Sequence, residues 1–313
     1  IKVVGSHVYV QVFESTRGLK VGAEAEFAGH MLEVTLGPGM LSKNYDGLQN
    51  DLDKMDGVFL KRGQYTYPLD KEKKWHFVPL VNVGDKVEAS AWLGQVDENF
   101  QPLKIMAPFT LKGTCTVKSV AAEGDYKIED TIAVLTDEEG KDITVNMIQR
   151  WPVKRAMTNY KEKPRPFKLL ETGVRVIDTV NPIVEGGTGF IPGPFGTGKT
   201  VLQHAISKQA EADIVIIAAC GERANEVVEI FTEFPELVDP HTGRKLMERT
   251  IIIANTSNMP VAAREASVYT AMTIAEYYRA MGLKILLMAD STSRWAQALR
   301  EMSNRMEELP GPD

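Results

Sequence analysis

In the second half of the chain, short apolar runs alternate with segments of helical spacing. The runs are continuous, as in strands buried on both faces of a parallel sheet, and lie at residues 190–191, 214–219, 251–254 and 285–289. Between the last two runs, the pattern predicts a helix that begins near Pro260, is capped by Ser257 or Asn258 and ends before Gly282. Repeated strand–helix units predict a parallel α/β sheet with right-handed crossovers.

The final apolar stripe has helical spacing, with one face formed by Trp295, Leu299, Met302, Met306 and Leu309. A stripe of this kind is typical of a core or a subunit contact. We do not interpret it as a cofactor site.

The first half has a different, β-rich pattern. Residues 1–65 carry short β-type runs broken by glycine and proline turns, which predicts a small N-terminal β-barrel or its remnant. Residues 66–150 form a second β-rich stretch that resembles the biotinyl/lipoyl-carrier sandwich. A basic, proline-marked connector near Trp151 then leads into a third domain, residues 151–313.

Carrier function is one alternative for the middle domain. A carrier needs an exposed, modifiable lysine at a hairpin tip, but in the stretch 96–104 the lysine, Lys104, lies beyond the turn. We therefore expect this domain to be a structural appendage.

Composition narrows the function classes. The chain has 42 acidic and 36 basic residues, a net charge of -6, which disfavours general nucleic-acid binding. Its apolar stretches are too short to span a membrane, and two cysteines, Cys115 and Cys220, do not make a disulfide scaffold. The five histidines show no metal-ligand spacing.

Because the chain starts at Ile1 inside a strand-like pattern and stops after a helical one, we expect it to be a fragment.

The strongest chemical signal is a phosphate-binding loop of the form G-x-x-x-x-G-K-[ST], which follows a predicted strand at 188–192 and precedes a helical segment at 201–210. Glycines allow successive N–H groups to converge on an anion, and the start of the next helix adds positive potential. Lys199 would bind the β- and γ-phosphates of ATP, or the β-phosphate of ADP, and the Thr200 hydroxyl would bind Mg²⁺. The predicted nucleotide-binding residues are Gly193, Pro194, Phe195, Gly196, Thr197, Gly198, Lys199 and Thr200.

Two strand ends supply candidate carboxylates. Glu222 follows the first strand after the loop, where a carboxylate can orient the water that attacks the γ-phosphate. Arg223 could hold that carboxylate or contact phosphate. Asp290 ends a later buried strand and is the predicted second contact of Mg²⁺, although a helix N-cap is a competing role.

These residues together resemble the catalytic A subunits of V-type and archaeal-type rotary ATPases. The resemblance covers essentially the whole chain. It rests on the sequence segments at residues 36–39, 45–47, 150–153, 193–200, 221–226, 233–237, 246–250, 255–267 and 289–295.

The resemblance implies an N-terminal barrel remnant, an inserted β-rich bulge domain and a RecA-like nucleotide domain. It also implies an A3B3 hexamer in which the B subunit supplies an arginine finger. Central rotor and peripheral stalk subunits would connect this hexamer, on the cytoplasmic face of the membrane, to an H⁺- or Na⁺-transporting sector. An isolated fragment is expected to show little or no turnover.

Two rival functions remain. A non-catalytic, regulatory nucleotide-binding subunit would tend to lack the loop lysine or the catalytic carboxylate, and both Lys199 and Glu222 are present. A RecA-like nucleic-acid motor is disfavoured by the acidic charge and by the lack of a basic, aromatic strand-binding surface.

Overall fold

The computed structural model describes the chain except residues 1, 11, 13–15, 56–64, 159, 161, 163–164, 195, 258, 260 and 306–313. For residues 2, 224, 225, 229 and 233 it describes the backbone only. The predicted cap Asn258, the predicted helix start Pro260, the loop residue Phe195 and two members of the last stripe, Met306 and Leu309, therefore lie outside the described residues.

The N-terminal region contributes strands to three different sheets. Strands β1 (Lys2–Val4) and β2 (His7–Tyr9) pair with each other as an exposed antiparallel hairpin. Strands β3 (Glu33–Leu36) and β4 (Asn44–Tyr45) instead join sheets formed by later parts of the chain. The expected barrel remnant is thus represented, among the described residues, by this hairpin and two strands that pair elsewhere.

The middle region is a sandwich of two four-stranded antiparallel sheets, in the orders β10-β5-β7-β8 and β12-β11-β9-β6. Its strands are β5 (Lys74–Pro79), β6 (Lys86–Val87), β7 (Trp92–Glu98), β8 (Gln101–Met106), β9 (Cys115–Val120), β10 (Gly124–Lys127), β11 (Ala133–Thr136) and β12 (Asp142–Val145). Strand β13 (Gln149–Pro152) leaves the sandwich and pairs antiparallel with β3.

The β7–β8 hairpin bears on the carrier alternative. Its tip is formed by Asn99 and Phe100, both with positive φ. Lys104 lies inside β8, where its ammonium donates a hydrogen bond to Gln95 across the hairpin. The tip therefore presents no lysine, in agreement with the expected structural role.

The last region alternates strands and helices. Its elements are β14 (Leu169–Leu170), α1 (Arg175–Val180), β15 (Ile183–Val184), α2 (Lys199–Gln209), β16 (Ile214–Glu222), α3 (Ala224–Glu233), β17 (Thr250–Thr256), α4 (Val261–Ala280), β18 (Ile285–Asp290) and α5 (Thr292–Arg305). The main sheet has the order β18-β16-β17-β4, and all its pairs are parallel. The predicted parallel α/β sheet is confirmed.

Strand β16 lies at the centre of this sheet and is buried along its whole length. One face, including Ile216, packs in the core that contains Tyr277 and Tyr278 of α4. The other face, including Ile217, packs with Phe234 beyond the end of α3. Continuous apolar sequence is needed because both faces are covered.

One strand prediction was wrong. Residues 188–192, directly before the phosphate-binding loop, are not a strand, and Phe190 is 81% exposed. The apolar run there is only two residues long. It lies between Gly189 and Pro192. Glycine weakens a strand because its backbone is conformationally free, and proline has no backbone N–H to donate to a neighbouring strand.

Among the helices in the described part of the chain, none is both long and apolar enough to cross a bilayer.

Candidate functional site

The two predicted carboxylates lie at one edge of the main sheet. Asp290, the last residue of β18, is paired with Ala219 of β16, and Glu222 ends β16 slightly farther along. The register of β16 against β17 shifts between Cys220 and Glu222, and Gly221 has φ of 69°. This bulge needs a residue that tolerates positive φ, and it turns the end of the strand.

The phosphate-binding loop reaches the same edge. Helix α2 begins at Lys199 after Gly198, whose φ is 82°. In the first turn of the helix, the Thr200 hydroxyl lies 2.9 Å from Oδ2 of Asp290 and donates a hydrogen bond to it. The structure thus brings together the two residues predicted to bind Mg²⁺.

The loop lysine is folded back onto its own loop. The Lys199 ammonium donates to the carbonyl oxygens of Gly193 and Pro194, each at 2.8 Å, and the Thr197 hydroxyl donates to Pro194 at 2.8 Å. The other described loop residues, including Gly196 and Gly198, are exposed. An incoming phosphate would therefore find the loop accessible and would compete with two backbone carbonyls for the lysine.

Glu222 is buried, with 8% of its surface exposed. The pKa of its carboxyl is raised from 4.5 to about 7: burial is the largest cause, a hydrogen bond to Glu226 and the charge of Asp290 act in the same direction, and the charge of Arg294 opposes them. The hydrogen bond to Glu222 in turn lowers the pKa of Glu226. Around neutral pH, this site therefore holds a carboxyl that is poised between its acid and base forms.

Arg294 is a site residue to which the sequence analysis gave no role. Its Nη1 donates to the carbonyl of Gly221, and its Nη2 lies 3.8 Å from Oε2 of Glu222. It occupies the first turn of α5, one turn beyond Asp290. Arg223 was predicted as a site residue because it is a charged residue that follows the end of a strand, and Arg294 likewise follows the end of β18.

Arg223 and Glu226 lie at the start of α3. The Arg223 side chain is exposed, while its backbone N–H donates to Oε2 of Glu226 at 3.3 Å. Glu226 lies four positions after Glu222, but Glu222 ends β16 before α3 begins, so helical spacing in the sequence did not indicate their contact. The predicted role of Arg223 stays a prediction.

Comparison with known families gives two matches. Residues 173–313, which include every predicted site residue, match the nucleotide-binding domain of the ATP synthase alpha/beta family. Residues 66–154 match the barrel-sandwich domain of ATP synthase alpha/beta subunits.

Individual relatives align along the whole chain. The V-type ATP synthase alpha chain of Treponema denticola is 58% identical over 316 aligned residues, which cover 100% of this chain and 54% of the relative. The corresponding chain of Borrelia hermsii is 56% identical, with 100% and 55% covered. The chain is a homologue of V-type ATP synthase alpha chains. This alpha-chain homologue spans about half the length of the curated relatives it matches.

The family and the multidomain fold predicted for this alpha-chain homologue are confirmed, and so is its nucleotide-binding domain. The predicted domain boundaries at residues 65, 150 and 151 stay predictions. The matched barrel-sandwich range extends through Lys154, slightly beyond the predicted end of the middle domain.

Proposed function

We propose that the full-length protein is the catalytic, ATP-binding subunit of a rotary ATPase or ATP synthase. The observation that carries this proposal is the contact of Thr200 with Asp290 beside Glu222 at the carboxyl edge of the sheet. In open α/β sheets, ligands bind at this edge. The arrangement supplies a phosphate site, oxygen ligands and a buried carboxyl in one place.

The loop would bind the triphosphate. Its N–H groups and the N-terminal end of α2 attract anions, and Gly193 to Thr200 have the spacing that such loops use. Lys199 would exchange its two carbonyl acceptors for β- and γ-phosphate oxygens.

The Thr200 hydroxyl and the Asp290 carboxylate are hard oxygen donors that already lie together, and they fit Mg²⁺. When bound, Mg²⁺ would neutralise developing charge on the phosphates. Thr200 would contact it directly, and Asp290 would do so through water.

Glu222, once ionised, would orient the attacking water and accept its proton. Such a positioned base contributes about 10²–10⁴-fold to the rate. Arg294 would keep the carboxylate in place through Glu222 itself and through the Gly221 carbonyl. ATP synthesis would use the same groups in reverse.

The proposed assembly is an A3B3 hexamer that is coupled by rotor and stalk subunits to H⁺ or Na⁺ transport through a membrane sector. The exposed loop leaves space for the arginine of a neighbouring B subunit. This part of the proposal rests on the resemblance of the chain to rotary ATPase A subunits.

The test uses the full-length protein assembled with its partner subunits. We expect Glu222→Gln to lower the kcat of ATP hydrolysis by at least about 10²-fold while nucleotide still binds, because the amide cannot accept a proton. Glu236→Gln, on an exposed side chain of the same domain, is the control. Unchanged turnover in assembled Glu222→Gln would instead favour a regulatory, non-catalytic subunit.

A further inference from the structure

An ion pair links the end of the barrel-sandwich domain to the nucleotide-binding domain. The ammonium of Lys154 contacts Oε1 of Glu265, which belongs to the early part of α4. The Glu265 side chain is only 7% exposed, whereas that of Lys154 is 44% exposed. A buried carboxylate needs a compensating charge, and Lys154 supplies one from outside the nucleotide-binding domain.

Glu265 is also in contact with the helix that follows Asp290. Its backbone carbonyl accepts a hydrogen bond of 3.1 Å from Nε1 of Trp295 in α5. Tyr269 completes the group, because its ring packs edge-on against Trp295 with centroids 5.8 Å apart. The Lys154 ammonium lies 5.4 Å from the centroid of the same tyrosine ring.

Trp295 directly follows Arg294, the residue that contacts the Gly221–Glu222 bulge at the end of β16. Arg294 donates to the carbonyl of Gly221 and lies 3.8 Å from Glu222. Fixing the indole of Trp295 therefore restricts the backbone of α5 from which the Arg294 guanidinium extends. Continuous contacts run from Lys154 through Glu265 and Trp295 to this backbone.

We propose that Lys154 and Glu265 are positioning residues for Glu222. Their ion pair holds the early part of α4 so that Trp295 and Arg294 keep the Gly221–Glu222 bulge in its catalytic position. The inference rests on the proposed role of Glu222. It adds that the segment after β13, which ends the matched barrel-sandwich range, contributes through Lys154 to the geometry of the reaction.

A clamp that only joins two domains makes a different prediction. Breaking such a clamp would reduce assembly or thermal stability, but the complexes that form would have normal kcat. A positioning role instead affects kcat more than the KM for ATP, because the phosphate-binding loop is not part of the connection.

The experiment measures ATP hydrolysis by the full-length protein in its assembled complex. We expect Lys154→Met to lower kcat about tenfold, in the range of mutations along a coupling network, with KM for ATP changed less than about twofold. Lys154→Arg, which keeps the charge, should restore most of the loss. The matched control is Lys118→Met, which removes an exposed lysine paired with Asp142 in the same domain and should leave kcat unchanged.

Trp295→Phe tests the connection at its other end, because it keeps a ring and removes the Nε1 donor. We expect a fall in kcat, and we expect the Lys154→Met/Trp295→Phe double variant to be no slower than the slower single variant. If Lys154→Met does not assemble, Glu265→Gln, which removes the charge on the other side of the ion pair, replaces it in the comparison of kcat. Normal kcat in assembled Trp295→Phe, or in assembled Lys154→Met, would overturn the inference.

The outcome is separable from that of the proposed function. Normal turnover in Glu222→Gln would reject the catalytic role itself and the positioning inference with it. Loss of turnover in Glu222→Gln together with normal kcat in Lys154→Met would reject only the positioning role.

Discussion

The hydroxyl of Thr200 lies 2.9 Å from Oδ2 of Asp290, which connects the first turn of α2 to the end of β18. The two residues are 90 positions apart in sequence, and the parallel sheet is what brings them together. Both are oxygen donors of the kind that Mg²⁺ prefers. Their contact supports the proposed Mg²⁺ site, because the two groups that would hold the ion already lie together.

The hydroxyl of Thr200 should therefore set the requirement for Mg²⁺. In the assembled full-length protein, we expect Thr200→Val to raise the Mg²⁺ concentration for half-maximal ATP hydrolysis by about 10- to 100-fold, a range seen when groups around a metal site are removed. Valine has the shape of threonine but no ligand oxygen. Thr200→Ser keeps the hydroxyl and should stay close to the wild type. Equal Mg²⁺ dependence in all three proteins would exclude this residue as a ligand.

The neighbours of Glu222 should move the pH profile in opposite directions. The hydrogen bond to Glu226 raises the pKa of Glu222, whereas the charge of Arg294 lowers it. If Glu222 is the base, as proposed, hydrolysis needs its ionised form, so kcat/KM should rise with pH through the pKa of that carboxyl, about 7. Glu226→Gln should shift this rise to lower pH, and Arg294→Gln should shift it to higher pH.

The measurement is kcat/KM of the assembled protein over a pH series from about 5.5 to 9, in steps of about half a pH unit, which brackets the pKa expected for Glu222. Glu236→Gln is the control, since this exposed side chain lies outside the site. Shifts in the same direction for the two variants, or no shift in either, would show that another group controls the profile.

The site could be predicted from sequence where a backbone rule places a residue. The loop spacing fixed the roles expected of Lys199 and Thr200, and the end of an apolar strand indicated Asp290. Arg294 lies in a segment used to recognise the family, but its contact with Glu222 depends on how α5 turns after β18. Sequence spacing does not specify that side-chain direction.

Long-range pairings were beyond the sequence pattern for the same reason. Lys154 and Glu265 are 111 positions apart, and no periodicity connects them. The strand β4 (Asn44–Tyr45) joins the nucleotide-binding sheet, but a strand of two residues is too short to show a periodic pattern of apolar positions in the sequence. Tertiary packing, which single-sequence patterns do not encode, decides such contacts.

Gly221 should be intolerant of a side chain. A Cβ added there would lie 3.1 Å from Cδ of Arg264 and 3.3 Å from Cβ of Arg294, in a backbone with φ of 69°. We expect Gly221→Ala to lower the free energy of unfolding by roughly 2–4 kcal/mol, which combines left-handed strain with overpacking. Urea denaturation measures this change.

Gly243→Ala is the matched control for that substitution. Gly243 has φ of 71°, but no atom of the described residues lies within 4 Å of its added Cβ. Only the backbone strain of roughly 1–2 kcal/mol should appear there. Equal losses in the two variants would mean that the arginines move aside without cost.

The carboxyl of Glu98 should make stability depend on pH. Glu98 ends β7, is 3% exposed, and accepts hydrogen bonds from the backbone N–H groups of Gly39 at 2.8 Å and Leu41 at 2.9 Å. Burial raises its pKa from 4.5 to about 7, although the two hydrogen bonds oppose the shift. The sandwich is thus joined to the N-terminal region through a carboxyl that changes its protonation state around neutral pH.

Because the pKa is higher in the folded than in the unfolded chain, the folded state binds the proton more tightly. The contribution of Glu98 to stability is therefore fully present below pH 4.5 and is lost as pH rises through about 7. Glu98→Gln cannot titrate and should not show this loss. As pH rises between these values, the free energy of unfolding of the variant should therefore increase relative to that of the wild type by up to about 3 kcal/mol. Urea denaturation at several pH values measures the difference, with the exposed Glu88→Gln as control. A variant that instead falls further below the wild type at high pH would show that the two N–H bonds outweigh the cost of burying the charge.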